Sequence, residues 1–281
     1  MKFGYFCNTT NWTHKPYDKL LDETREITEY CDKNNWNSIW FTEHHFNHEG
    51  MESCTNPLML GTDAAARTKK IRIGQAANVI TFHNPIRLAE DIATLDQLSK
   101  GRVEVGVARG IYGREAINLN KEADLKDQAK NFRLFAETLE VLKKAWSEKF
   151  FSHQGEFYTY PSPNYVWQHD MSPPSEEFMN MEDSTMKKIS VLPKPYQNPH
   201  PPIHQVVDGI RSIEWAAENN INVIMWIPTV KALKIRFEAY KNKRSEVTKK
   251  NVPLGEGVTL VRDMFVADTM EEAKEKAGQH M

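Results

Sequence analysis

The sequence has little that would place the protein in an oxidising compartment, at a membrane or on a polyanion. It contains three cysteines, Cys7, Cys31 and Cys54, an odd number without a CxxC pair, which disfavours a disulfide scaffold. Its formal net charge is −2, so a strongly basic surface for nucleic acid is not expected. No run of about 18 apolar residues occurs, and the N-terminus MKFGYF lacks a secretory apolar segment. These absences predict a cytoplasmic protein without nucleic-acid or membrane partners.

Three motifs of common enzyme classes are also missing. No GxGxxG follows the first predicted strand, where residues 7–10 read CNTT, so a dinucleotide-binding Rossmann domain is disfavoured. No HExxH motif is present, and His44 and His45 are adjacent, whereas the two histidines of that motif are four residues apart. We therefore expect no metal site. No GxSxG is present, which argues against a serine hydrolase.

The most informative stretch that is present is SIWFTEHHF, residues 38–46. It begins as an apolar strand and stops in the titratable cluster Glu43-His44-His45. A short apolar strand that ends in acidic and histidine side chains is typical of a parallel α/β sheet with chemistry at its carboxyl edge. The alternative is a surface loop that happens to hold two histidines.

Strand patterns alternate with helix patterns along most of the chain. Predicted strands cover residues 2–6, 38–41, 71–80, 102–108, 203–207, 222–227 and 257–267. Predicted helices cover residues 17–34, 57–70, 85–99, 126–148, 211–220 and 229–249, and a last helix begins at residue 269. This rhythm predicts right-handed βαβ units, a parallel sheet and a single α/β domain over residues 1–281. An open doubly wound sheet is the alternative to a TIM (β/α)8 barrel. Seven strands are one short of eight, so we expect the eighth βα unit to be missing and the chain to be the front part of a longer barrel.

Residues 151–202 interrupt the alternation between the fourth and fifth strands. This segment holds nine of the fourteen prolines and several aromatic residues, without a clear period. Its length exceeds that of a simple connection. We interpret it as an insertion, a hairpin plus a mobile lid over the carboxyl face. The alternative is a disordered linker, which the aromatic content disfavours.

The carboxyl ends of the predicted strands bring histidines, an arginine, small residues and aromatic residues to one edge. Arg109 and the N-terminal amides of the helix after Gly209 are suited to an anionic group such as a phosphate. The small residues Ala76 and Ala77 would let a flat ring approach the backbone closely. The residues at this edge of the sheet therefore predict a pocket for an anionic, ring-containing ligand.

Three segments resemble the bacterial-luciferase-like flavin monooxygenases: FTEHHF at 41–46, GQAANVITFHNPIRLAEDIATLDQLSKGRVEVGVARG at 74–110, and EWAAENN at 214–220. The resemblance implies a TIM barrel that binds reduced FMN, reacts it with O2 to a flavin C4a-hydroperoxide and oxygenates a small organic substrate. It also implies a separate NAD(P)H:flavin reductase as a transient partner, and a homodimer or a heterodimer with a related subunit.

The resemblance assigns roles to residues in the first half of the chain. His44 matches the catalytic histidine, an acid/base near the flavin, and His45 is expected to be a hydrogen-bonded supporting histidine. Ala76-Ala77 matches the place of a non-prolyl cis peptide under the flavin ring, and Arg109 matches a residue beside the flavin. Arg133 resembles a second phosphate-binding arginine, although it could equally be a charge on a helix surface.

Further cofactor-binding roles fall on residues that line the pocket or turn around the phosphate. Tyr112 and Trp226 are expected to wall the flavin or substrate pocket, and the alternative for Trp226 is plain barrel core. The phosphate turn, usually serine-rich in the family, reads DGIRS at residues 208–212. Here Gly209 offers a backbone N–H and Ser212 a hydroxyl, but Asp208 would repel a phosphate if it pointed inward.

One further departure and two alternatives limit what the resemblance implies. Ala108 stands where bacterial luciferase has a reactive cysteine, which argues against a light-emitting luciferase. An F420-dependent oxidoreductase on the same fold, and a non-catalytic flavin-binding subunit, both stay open. The substrate is not fixed either, because an aldehyde, an alkane, a terpene and a sulfonate all suit the scaffold.

Overall fold

The computed structural model describes residues 1–226 and 228–278. The chain divides into two compact units, Met1–Gln205 and Val206–Met281. Two predicted elements extend past the described residues, since Ile227 of the sixth predicted strand and residues 279–281 of the last predicted helix lie outside them. The prediction of a single domain stays a prediction.

The first unit alternates strands and helices, as the sequence predicts. Its elements are β1 (Gly4–Cys7), α1 (Tyr17–Lys33), β2 (Ser38–Phe41), α2 (Pro57–Arg67), β3 (Arg72–Gln75), β4 (Asn78–Val79), α3 (Pro85–Ser99), β5 (Val103–Ala108), α4 (Gly113–Leu119), α5 (Gln128–Ser147), β6 (His153–Gln154), β7 (Thr159–Tyr160) and β8 (Ile203–Val207), which crosses the unit boundary. The larger sheet is parallel, in the order β1-β2-β3-β5-β8, with β4 paired to β5. The predicted parallel sheet is therefore confirmed.

Helix α3 shows how local sequence sets an element. The Asn84 side chain accepts hydrogen bonds from the backbone N–H groups of Ile86 and Arg87, and Pro85 occupies the first helical position. The helix ends where Lys100 takes a left-handed conformation and Gly101 has φ +82°. Its buried side chains pack against β5, α2 and α5. The predicted bounds of this helix are confirmed.

The predicted third strand is interrupted, so the expectation of one strand over residues 71–80 is wrong. Strand β3 stops at Gln75, β4 begins at Asn78, and the Ala76–Ala77 peptide bond between them is cis, as the resemblance implies. The Asn78 amide donates to the Gln75 side chain at 3.2 Å and to the Gly106 carbonyl at 3.1 Å. The gap is thus spanned by one buried hydrogen bond and tied to the neighbouring strand β5 by another.

The insertion at residues 151–202 contains the predicted hairpin. Strands β6 and β7 pair antiparallel, and isolated bridges such as Phe151 with Ile189 follow. Met179 and Val191 are buried, which argues against a disordered linker. The Lys194 ammonium donates to the carbonyls of Ala145 and Glu148, at the end of α5. The hairpin is confirmed, whereas the role of a lid stays a prediction.

The second unit continues the alternation with shorter elements than predicted. It contains α6 (Ile210–Glu218), β9 (Asn222–Trp226), α7 (Val230–Thr248), β10 (Val258–Val261) and α8 (Met270–Gly278). Strands β9 and β10 are parallel, with Val223 opposite Val258. The predicted strand over 257–267 is too long, because Met264, Phe265 and Val266 follow β10 as exposed residues.

The structure also contains elements that the sequence pattern does not predict. Helix α4 and two 3₁₀ turns, Ile80–Phe82 and Lys121–Ala123, were not predicted. In the described part of the chain no strand follows β10, and α8 is the last element there. No helix within residues 1–226 and 228–278 has the length and apolar character needed to cross a bilayer.

The strand gap makes Gly106 sensitive to substitution. A Cβ at Gly106 would lie 1.6 Å from the Gln75 carbonyl oxygen, whereas a Cβ at Gly113 meets no described atom within 4 Å. We expect Gly106→Ala to lower the free energy of unfolding by about 1–3 kcal/mol or more, because the backbone must shift. Gly113→Ala, the matched control, should change it by less than about 1 kcal/mol. Urea unfolding followed by circular dichroism measures both, and equal stability of the two variants would contradict the account.

Candidate active site

A buried carboxylate stands directly after β2. Glu43 accepts the Val79 backbone N–H at 2.7 Å, and its other oxygen lies 2.8 Å from His83 Nε2 and 3.1 Å from His45 Nε2. It therefore joins the end of β2 to β4 and to the turn after it. His45 makes the supporting hydrogen bond that the sequence analysis expects of it.

The pKa values of this cluster follow from burial and pairing. Burial alone would raise the pKa of Glu43, but the hydrogen bonds from His45 and His83, the charge of His83 and the Val79 N–H outweigh it and hold that pKa below its usual range. Burial alone would lower the pKa of His83, but its hydrogen bond and ion pairing with Glu43 hold that pKa above its usual range. The pair is stabilised as an anion and a cation.

His44 lies between two carboxylates. Its Nε2 is 3.3 Å from Glu52 Oε1, its Nδ1 is 3.4 Å from Glu115 Oε1, and its side chain is 15% exposed. Its backbone N–H donates to the Cys54 carbonyl at 2.8 Å, which fixes the turn after β2. The ring of Tyr112 lies 5.2 Å from the His44 ring, centroid to centroid.

Helix α4 supplies the second side of this cluster. Tyr112 precedes the helix, and Glu115 in its first turn is fully buried and accepts the His45 backbone N–H at 2.6 Å. Burial, followed by the hydrogen bond to Glu52, raises the pKa of Tyr112 to about 12. Tyr112 is among the predicted site residues, whereas Glu52 and Glu115 are not. The spacing of Tyr112 and Glu115 by three residues, at a helix start, is the one signal that could have suggested Glu115.

Arg109 and Arg133 have different surroundings. Arg109 follows β5, with its guanidinium carbon 5.8 Å from the centre of the Phe132 ring and a nitrogen 3.5 Å from the Asn131 side-chain oxygen. Arg133 makes two hydrogen bonds, of 2.8 and 3.0 Å, to the Glu156 carboxylate at an exposed position. This pairing matches the alternative reading of Arg133 as a surface charge, and its phosphate role stays a prediction.

The strand gap brings small side chains to the same edge. Ala77 is buried and Ala76 half-buried, and Asn78 beside them is buried. Glu43 reaches this region through Val79. The Ala76 backbone N–H donates to the Phe41 carbonyl at 2.7 Å, so the gap lies beside the end of the strand that precedes His44.

The remaining predicted residues belong to the second unit. Ser212, in the first turn of α6, donates its hydroxyl to the Gly209 carbonyl at 2.8 Å. Asp208 is highly exposed and pairs with Arg236 at 2.8 Å. Trp226 ends β9 with 45% of its surface exposed, so the alternative that it is barrel core is wrong. Cofactor contacts of Gly209, Ser212 and Trp226 stay predictions.

Over residues 1–226 and 228–278, no group of three or more His, Cys, Asp or Glu side chains could hold a metal ion. The histidines beside Glu43 and Glu115 are instead explained by hydrogen bonds and ion pairs within the protein. The arrangement is that of a proton-handling site, with two carboxylates and a phenol around one imidazole.

Comparisons with known proteins identify the family of the chain. The family described as "Luciferase-like monooxygenase" matches residues 1–281. The oxygenase component of the flavin-dependent trigonelline monooxygenase of Acinetobacter baylyi is 26% identical over 285 residues, 99% of this chain and 69% of that protein. An alkanal monooxygenase beta chain of Photorhabdus luminescens is 30% identical over 225 residues, 80% of this chain and 59% of that protein.

A solved structure extends the comparison to the fold. The oxygenating constituent of 3,6-diketocamphane monooxygenase from Pseudomonas putida, a type II Baeyer-Villiger monooxygenase in complex with FMN, has a TM-score of 0.79 and 22% identity. The match covers 99% of this chain and 71% of that one. The fold class is thus the predicted α/β TIM barrel.

The chain belongs to the luciferase-like monooxygenase family, as the resemblance of its motifs predicts. It spans about 60–70% of the length of the curated relatives described above.

The Glu43–His83 pair predicts a pH dependence of stability. The raised pKa of His83 gives stability that is fully present below its ordinary value of 6.5 and is lost as the pH rises through the raised value. The lowered pKa of Glu43 gives stability that is present above its ordinary value of 4.5 and is lost as the pH falls through the lowered value.

Replacing His83 by glutamine should therefore destabilise the protein most between those two ordinary values. Urea unfolding of wild type and His83→Gln at about pH 5.5 and about pH 9 measures the difference, which should be clearly larger at the lower pH. His48→Gln, at a highly exposed position in the loop after β2, is the control and should show no such change. An equal effect of His83→Gln at both pH values would contradict the account.

Proposed function

We propose that this chain is a flavin-dependent monooxygenase that uses reduced FMN and O2. One oxygen atom enters a small organic substrate, the other leaves as water, and FMN is released oxidised, which balances the two electrons that the reduced flavin carries. The observation that carries the proposal is His44, held at the carboxyl end of β2 between two carboxylates in a chain that belongs to the luciferase-like family.

The residues beside the strand gap fit a flavin. Ala76 and Ala77 present only methyl groups, and Gly106 leaves room for the Gln75 carbonyl that a Cβ would displace, so the backbone there can face a flat ring. Arg109 offers a permanent positive charge at the end of β5. When bound, reduced FMN would supply the electrons and the reaction with O2, and the protein supplies burial and orientation.

His44 would hold or move a proton beside the reacting oxygen. Its Nε2 faces Glu52, and the Tyr112 hydroxyl hydrogen-bonds with the same carboxylate, so a proton at this nitrogen has defined neighbours. A tyrosine phenol is already neutral at physiological pH, and the raised pKa of Tyr112 favours that neutral, donating form further. Exclusion of water would fall to residues 151–202, the predicted lid.

Phosphate binding is proposed for a separate set of residues. The N-terminal amides of α6 follow Gly209, and Ser212 adds a hydroxyl in the first turn. Arg236 pairs with Asp208, which lowers the repulsion that an acidic residue in this turn would exert on a phosphate. Arg133 could contribute if it released Glu156.

The proposal includes partners and location. A separate NAD(P)H:flavin reductase would deliver reduced FMN, and the chain would work as a homodimer or with a related subunit, in the cytoplasm. Two relatives support this arrangement by name, one as an oxygenase component and the other as a beta chain.

Anaerobic binding of photoreduced FMN, followed by admission of air, tests the proposal. We expect tight binding of reduced FMN and, with decanal or trigonelline as probe, oxygenated product in place of part of the H2O2. Binding of F420 in place of FMN would support the deazaflavin alternative. Binding of FMN without product from any probe aldehyde or pyridinium would support the non-catalytic subunit.

Replacement of His44 tests its catalytic role. His44→Ala should lower product formation by about a hundredfold or more, the usual contribution of general acid–base catalysis, while binding of reduced FMN changes little. His48→Ala removes a highly exposed histidine from the same loop and should keep full activity. Steady-state product assays with matched protein concentrations compare the three proteins, and unchanged turnover in His44→Ala would rule out the assignment.

Replacement of Arg109 tests the cofactor contact. Arg109→Gln should weaken binding of reduced FMN by about ten- to a hundredfold, because a hydrogen bond to a charged partner is lost. Arg87→Gln, on the exposed face of α3, serves as the control and should bind as the wild type does. Anaerobic fluorescence titration measures the dissociation constants. Equal constants for the Arg109 and Arg87 variants would remove Arg109 from the site.

A further inference from the structure

The two carboxylates beside His44 approach different nitrogens of its ring. Glu52 lies 3.3 Å from Nε2 and Glu115 lies 3.4 Å from Nδ1. Nδ1 has no hydrogen-bond partner among the described residues, so the Glu115 contact is one of ion-pair distance. Glu52 comes from the loop after β2 and Glu115 from α4, so the ring is held between two separate segments. A neutral imidazole donates from one nitrogen only, whereas the charged ring donates from both.

Burial of these carboxylates is not explained by the fold alone. Glu115 is fully buried, and Glu52 is largely buried. One oxygen of each, Oε2, has no hydrogen-bond partner among the described residues. Leaving a buried carboxylate oxygen without a partner costs stability. The ionisable group that lies near the other oxygen, Oε1, of both residues is the His44 imidazole.

The loop that carries Glu52 is itself held in place. The Gly50 carbonyl accepts the Asn11 backbone N–H at 2.7 Å, and Glu49 pairs with Arg114 of α4 at 2.7 Å. The Tyr112 hydroxyl then hydrogen-bonds with Glu52. Glu115 is fixed from the other side, since its Oε1 accepts the His45 backbone N–H. Both carboxylates thus have contacts that hold them where the His44 ring lies.

We propose that Glu52 and Glu115 are positioning residues for His44, with Glu115 orienting the ring through Nδ1 and Glu52 through Nε2. This inference rests on the proposed function for its catalytic meaning, but the orientation itself is a property of the flavin-free protein. With both carboxylates in place each nitrogen of the ring faces a negative charge, at 3.3 Å for Nε2 and 3.4 Å for Nδ1, and a proton on Nε2 is kept on the side of Glu52 and Tyr112. Loss of either carboxylate would leave one nitrogen without a charged partner.

Nitrogen NMR of the histidine rings in the flavin-free protein tests the proposal. Glu115→Gln keeps an oxygen that can accept the His45 N–H but removes the charge, and Glu52→Gln does the same on the other side. We expect Glu115→Gln to shift mainly the Nδ1 resonance of His44, and Glu52→Gln mainly the Nε2 resonance. The spectrum of His44→Gln identifies the His44 signals.

A matched control comes from another carboxylate–histidine pair. Glu137 lies 3.0 Å from His153 Nε2, and its carboxylate is largely buried as well. Glu137→Gln should shift the His153 resonances and leave those of His44 in place. If the His44 nitrogens are unchanged in both Glu52→Gln and Glu115→Gln, the positioning role is wrong. If the resonances of every histidine shift, the Gln variants have altered the fold, and Glu52→Asp and Glu115→Asp, which keep the charge, are measured instead. The proposal expects the wild-type His44 signals in these Asp variants. Their absence would overturn it.

Measurements of kcat distinguish a failure of this inference from a failure of the proposed function. In a wild type that oxygenates decanal or trigonelline, Glu115→Gln and Glu52→Gln should lower kcat by about tenfold or more with little change in binding of reduced FMN, because the ring loses its orientation. A wild type without any oxygenation would remove the proposed function while the NMR result still decides the positioning. Unchanged kcat in both variants, with shifted His44 resonances, would overturn the catalytic part of the inference.

Discussion

The site depends on the hydrogen bonds and the ion pair that the buried carboxylate of Glu43 makes. An ionised group at a fully buried position requires charged or hydrogen-bonded partners, and Glu43 finds them in the Val79 N–H, His83 and His45. These partners come from β4, from the turn before α3 and from the loop after β2, so one side chain fixes three segments at the carboxyl edge. Because Glu43 immediately precedes His44, the same bonds set the backbone from which the His44 ring extends.

The second constraint is steric and lies in the neighbouring strand. Gly106 has no side chain, and the Gln75 carbonyl occupies the space that a Cβ would take. This close approach ends β3, and the Asn78 amide bridges the gap by donating to the Gln75 side chain and to Gly106. The result is an edge made of backbone and of the methyl groups of Ala76 and Ala77. The Glu43–Val79 bond connects that edge to the strand that precedes His44, so the electrostatic and the steric constraint act on one another.

Much of the architecture could be predicted because its signals are local. Asn-Pro pairs start α2 and α3, and the apolar runs of β2, β5 and β8 match the observed strands. The interruption of β3 could not be predicted from pattern, because IRIGQAANVI reads as one apolar strand and the interruption depends on Gly106 in a different strand. Likewise Glu115 meets His45 across 70 residues of sequence, so its place beside the histidines arises only from tertiary packing. The strand pattern already indicated the cluster Glu43-His44-His45, but only the resemblance to the family distinguished His44 from His45 and predicted the cis peptide.

Arg109 and Arg133 differ in how firmly their guanidinium groups are held. Arg133 is bonded to Glu156, but both side chains are about half exposed, and such ion pairs are screened by water and salt. A dianionic phosphate is a stronger partner than one carboxylate, so exchange of Glu156 for a ligand would cost little. Arg109 differs because its guanidinium lies beside Phe132 and Asn131 at the end of β5, where movement is more restricted. The pairing of Arg133 therefore does not oppose a phosphate role, whereas the surroundings of Arg109 already favour one fixed position for its charge.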